Sequence, residues 1–130
     1  MLKKYLVMAM VILSLQAHGQ AEGNSYSSER GLFRVSYESQ LQPIAINRIH
    51  SWTLSVTDGN GRPVTGADIA IKGGMPQHNH GLATQPTIEP AAEGKYLLQG
   101  LRFHMMGYWE LELTIDDGNA RDTVMIALAL

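Results

Sequence analysis

Between Gly107 and Ile115 the chain reads GYWELELTI. Trp109, Leu111, Leu113 and Ile115 occupy alternate positions, with Tyr108, Glu110, Glu112 and Thr114 between them. Successive side chains of an extended strand point to opposite faces, so this spacing dictates one apolar face and one wet face. A helix would scatter the same residues around its axis. The period recurs in GLFRVSYE, where Phe33, Val35 and Tyr37 alternate with Arg34, Ser36 and Glu38. It recurs in IHSWTLSVT, where Trp52, Leu54 and Val56 alternate with Ser51, Thr53 and Ser55. A chain patterned this way must build sheets with a shared interior.

Turn chemistry separates the strands. DGNGRP, from Asp58 to Pro63, ends the second, and DDGN at Asp116 leads into a last one near Asp122 to Leu128. Between them lie ADIAIKG, with Ile69 and Ile71 inward, the segment TQPTIEP, and the strand GKYLLQG, where Tyr96 and Leu98 alternate with Lys95 and Leu97. About seven short strands within about 100 residues predict an all-β fold, an immunoglobulin-like antiparallel β-sandwich. A small barrel is the alternative. Trp52 and Trp109 sit mid-strand on apolar faces and are the expected centre of the core. Outside the first residues there is no helical period and no internal repeat.

The N-terminus has a different pattern. MLKKYLVMAMVILSLQAHGQAEG has two lysines, an apolar run from Tyr5 to Leu15, then small and polar residues. This is the layout of a secretory signal peptide, helical in its apolar part. The run is about 11 residues against the roughly 20 needed to span a membrane, so no stable span is expected after cleavage. An uncleaved anchor is the alternative. The expected organisation is a signal peptide over 1–21, a polar flexible lead over 22–30 and one domain over 31–130, in a periplasmic or secreted protein. With no cysteine, neither lipoprotein attachment nor a disulfide is available, and apolar packing must hold the domain. The net charge is −2 with scattered basic residues, which argues against a nucleic-acid partner.

The segment Gly73 to Leu82, GGMPQHNHGL, gathers Met75, His78 and His80 between glycines and a proline. If it is extended, residues two apart share a side, and both imidazoles face one ion. Pro76 fixes its own φ and biases Met75 toward extended backbone. An HxH pair alone is equally what two solvated loop histidines look like. A second cluster, RFHMMGYW, spans Arg102 to Trp109. By alternation Phe103 and Met105 share one side, and His104 and Met106 the other. Methionine is a common gap-filler in cores, so packing is the plain reading of each methionine alone. Together, thioether and imidazole without thiolate or carboxylate suit copper, Cu(I) above all, better than zinc. A blue-copper electron carrier needs a cysteine, which is absent.

MPQHNHGL, followed by GKYLLQGLRFHMMGYWELEL, resembles the YtkA-like domain family, small exported proteins related to FixH-type accessory proteins. The family pattern reads MPxHxHG, then a GxY strand, then FxMxGxW. Here those positions are Met75, Pro76, His78, His80 and Gly81, then Gly94 and Tyr96, then Phe103, Met105, Gly107 and Trp109. The likeness extends from about Ile49 to the end. It implies an immunoglobulin-like sandwich in the bacterial cell envelope with a role in copper handling. Carried over position by position, the implied ligands are Met75, His78, His80 and Met105. His104 has no counterpart in that pattern.

Two functions of different classes follow. One is an exported copper-binding accessory protein, a periplasmic chaperone or buffer, whose partners are the copper ion and a cuproprotein acceptor in the envelope. The other is a metal-free immunoglobulin-like interaction module whose histidine loop touches a partner. No Ser, His or Asp falls in a nucleophile motif, and Glu110 and Glu112 read as the solvent face of a strand, so no enzyme is expected.

Overall fold

The computed structural model describes residues 25–130, which form nine strands and, among these residues, no helix. The signal peptide expected over 1–21 lies outside the described residues. The strands are β1 (Ser25–Ser27), β2 (Phe33–Ser39), β3 (His50–Asp58), β4 (Asp68–Met75) and β5 (His80–Gly81). They continue with β6 (Thr87–Pro90), β7 (Lys95–Leu101), β8 (Tyr108–Asp116) and β9 (Arg121–Ala129). One sheet has the order β1-β2-β3-β7-β6 and the other β5-β4-β8-β9, all pairs antiparallel. The fold is an all-β sandwich.

The alternation is realised residue by residue. Trp109, Leu111, Leu113 and Ile115 on β8 are buried, as are Trp52, Leu54 and Val56 on β3. Fully burying such a side chain stabilises by about 1.5–3 kcal/mol, which supports a domain without disulfides. The two tryptophans belong to opposite sheets, and Phe103 bridges them, with ring centres 6.3 Å from Trp52 and 5.2 Å from Trp109. Two strands exceed the expected seven. Ser25–Ser27, expected to be flexible lead, pairs with Arg34–Ser36 and adds an edge strand. Two-residue β5 pairs with the end of β4.

The GxY positions serve the fold. The Tyr96 hydroxyl donates to the Val64 carbonyl at 2.6 Å and accepts from the Ala67 N–H at 3.0 Å, pinning the loop after β3. Gly94 has φ +66°, where L side chains are strained.

Candidate metal centre

The histidine segment is a hairpin. Met75 pairs with His80 and Gly74 with Gly81, leaving a loop over 76–79. The His78 N–H donates to the Met75 carbonyl at 3.1 Å, and Asn79 takes φ +51°, a left-handed conformation that asparagine tolerates. A Cβ on Gly74 would collide with the His80 carbonyl oxygen, so only glycine lets the hairpin close this tightly. The extended geometry expected for the HxH pair is therefore replaced by a turn. The rings still meet: His78 and His80 are near-parallel, with centres 6.2 Å apart.

The second cluster is a connection between β7 and β8 with no strand over 102–107, so strand alternation does not govern it. It is braced instead. The Asn47 N–H donates to the Phe103 carbonyl at 2.7 Å, the Gly107 N–H donates to the Leu130 carbonyl at 2.8 Å, and the Trp109 indole N–H donates to the Met105 carbonyl at 3.0 Å. Gly107 has φ +133°, and a Cβ there would sit 2.7 Å from the Met75 Cε. The two motifs are thus in direct contact, because β4 pairs with β8.

The result is a row of three imidazoles. His80 meets His104 edge-on at 5.8 Å, and His104 meets Trp109 at 5.3 Å. His104 Nδ1 is buried and, among the described residues, has no hydrogen-bond partner. An orphaned buried ring nitrogen is costly, and a metal ion is one partner that would satisfy it. Two imidazoles bonded to one ion at about 2.0–2.1 Å have ring centres roughly 5–6.5 Å apart, so both neighbouring pairs are spaced for sharing. As they stand, no three His, Cys, Asp or Glu side chains among the described residues enclose a common point. His80 lies between its neighbours, and closure requires rotation of the exposed His78 and His80 side chains.

The thioethers divide by depth. Met75 is fully buried and belongs to the core, Met105 is half-buried against it, and Met106 is exposed. Of the four residues read as ligands, His78 and His80 come together at the surface, while Met75 lies within the core and Met105 at its margin. His104, which the motif omits, completes the row of rings. Its signal in the sequence was only its place between Phe103 and Met105.

A cavity of about 330 Å³ adjoins the row on the outer face of the smaller sheet, with His80, Met75, Glu110 and Met125 among its lining. Glu112 pairs with Lys72 at 3.3 Å and Glu110 accepts from the Tyr108 hydroxyl at 3.0 Å, so both carboxylates lie on the wet face of β8.

A YtkA-like family model matches residues 33–114. This chain belongs to the YtkA-like family. The match begins at β2, earlier than the motifs suggested, and stops within β8, so β9 lies beyond it. Both halves of the YtkA-like motif set, the hairpin and the 102–107 connection, fall inside it. No curated protein and no solved structure matches the chain.

Proposed function

We propose that the chain is an exported copper-binding accessory protein that holds copper at the His78, His80 and His104 row, with thioether support from Met105 and Met75 beneath. The observation that carries this reading is the approach of His80, from one motif, to His104, from the other, beside an unsatisfied buried Nδ1. Imidazole suits both copper oxidation states, and the soft thioethers favour Cu(I). The absence of cysteine removes competition from disulfide formation in an oxidising compartment. Exposed His78 at a hairpin tip offers the first contact, and copper passes from it inward or outward to an acceptor.

Anaerobic native mass spectrometry with Cu(I) tests the proposal. One copper per chain supports it; a metal-free spectrum at excess Cu(I) overturns it. The second reading, a metal-free interaction module, has one observation in its favour. Ile49 and Met106 are 68% and 70% exposed, and Asn47 bonded to Phe103 holds their two loops side by side. A metal-free spectrum would select that reading.

A further inference from the structure

The row of imidazoles does not stop at Trp109. Trp109 meets Phe103 at 5.2 Å and Phe103 meets Trp52 at 6.3 Å. Trp52 then stacks on Tyr37, 3.9 Å between centres and 10° from parallel, and Tyr37 stacks on Tyr26 at 6.2 Å. An unbroken series of ring contacts therefore crosses the core from the hairpin tip to edge strand β1. It contains both tryptophans of the protein. Ring pairs at 4.5–7 Å are ordinary core packing. Packing alone, however, does not require the oxidisable rings to line up from one candidate redox site to the far edge.

The two indoles also differ. The Trp109 N–H donates to a carbonyl oxygen, which cannot take a proton. The Trp52 N–H donates to Nε2 of His50 at 3.1 Å, and His50 Nδ1 faces the Arg48 carbonyl at 2.9 Å. With Nδ1 donating to Arg48, Nε2 is the free base, held in a side chain that is itself buried. Tyr37 is half-buried beside Tyr26, and burial first, then Tyr26, pushes its phenol up to about 12, so it carries its proton at any physiological pH.

We propose that Trp109, Trp52, Tyr37 and Tyr26 form a path that drains oxidising equivalents from the histidine row to the β1 edge. The inference rests on the copper reading, because Cu(I) and hydrogen peroxide together yield Cu(II), hydroxide and a hydroxyl radical. That radical becomes water by taking one electron, from Trp109, and one proton from solvent. Phe103 is too hard to oxidise and acts as a bridge, across which Trp52 refills Trp109. Oxidised Trp52 passes its indole proton to His50 Nε2, which keeps the hole at Trp52 rather than Trp109. Tyr37 then returns an electron to Trp52 while His50 returns the proton, and the phenolic proton of Tyr37 leaves toward Tyr26 and solvent. The net change moves one hydrogen atom from a tyrosine to the radical, giving water and a tyrosyl radical. The Tyr26 phenol gives one hydrogen atom to the Tyr37 radical beside it, and at the β1 edge a small reductant of the thiol or ascorbate class gives one to Tyr26, leaving the radical on the reductant. The path spares the thioethers of Met75 and Met105, which would otherwise become sulfoxides.

The test uses a ruthenium polypyridyl complex attached to His78 or His80, located by peptide mapping, and oxidised by a flash in the presence of an irreversible quencher. Transient absorption of the wild type is expected to show a tryptophan radical giving way to a tyrosyl radical. In the Tyr26→Phe, Tyr37→Phe double variant, which loses only two hydroxyls, the tyrosyl signal should be lost and the tryptophan radical should persist. His50→Gln, which keeps an acceptor but not a base, should slow the appearance of the tyrosyl radical. An undiminished tyrosyl signal in the double variant overturns the proposal. The label needs no copper, so a failed path and a failed copper reading are told apart by comparing this result with the native mass spectrum.

Discussion

The terminal methyl of Met75 lies 2.7 Å from the point that a Cβ on Gly107 would occupy. Gly107 also holds φ +133°, so a side chain there meets both strain and a filled space. Gly107→Ala is expected to destabilise the domain by about 1–3 kcal/mol. Combined with Met75→Ala, which vacates that space, the loss should be less than the sum of the single variants. Denaturant unfolding of the four proteins measures the coupling, and strict additivity would contradict the contact.

Asp122 ties β9 to the chain ahead of β2. Its carboxylate accepts from the backbone N–H groups of Arg30 and Thr123, each at 2.9 Å. Burial disfavours the ionised form, but hydrogen bonds from the Ser28 hydroxyl and the N–H groups of Thr123, Arg30 and Leu32 outweigh it and hold the carboxyl below its usual range. A carboxyl lowered in the folded state contributes stability above its unfolded pKa of about 3.9, and that contribution is lost as pH falls toward the folded value. Denaturation midpoints measured from about pH 6 down to about pH 3 should therefore fall, and Asp122→Asn should flatten the slope. A variant as acid-sensitive as the wild type would contradict this role.

Copper must displace protons from imidazole, so affinity at the proposed site should weaken as the solution is made acid. The thioethers do not titrate. Cu(II) binding is expected to vanish in acid while part of the Cu(I) binding survives, as competition titrations at several pH values would show. A flat profile for both ions would remove the histidines from the site.

Met105 and Met106 are adjacent in sequence but unequal in place, one packed against the core and the other 70% exposed. Met to Leu nearly conserves volume, so Met105→Leu should cost under about 1.5 kcal/mol of stability. If Met105 supports copper, its Cu(I) affinity should fall by about 10–100-fold, while Met106→Leu stays near wild type. The opposite pattern would transfer the role to Met106.

The sheets were legible because alternation is a local property: the inward residues of β3 and β8 are the buried ones. Short β1 and β5 were not, since each is a strand only through its partner. The turn at His78 depends on Gly74 admitting the His80 carbonyl, a close approach that the dipeptide GG permits without announcing. His104 joins the other rings only because β4 pairs with β8, a relation between residues far apart in sequence. Alternation over 102–107 set Met105 with buried Phe103 and Met106 outward, as observed, but the segment is not a strand, because Phe103, Gly107 and Trp109 are held by loop hydrogen bonds that no period records.

The central claim is that His80 and His104, from separate motifs, hold one copper ion. Competition titration of Cu(I) against His104→Phe is its most direct test. Phenylalanine keeps the edge contact with Trp109 and removes an unsatisfied buried nitrogen, so the copper-free protein should melt no lower than wild type. Its Cu(I) affinity is expected to fall by at least about 10–100-fold. Wild-type affinity in that variant would contradict the account.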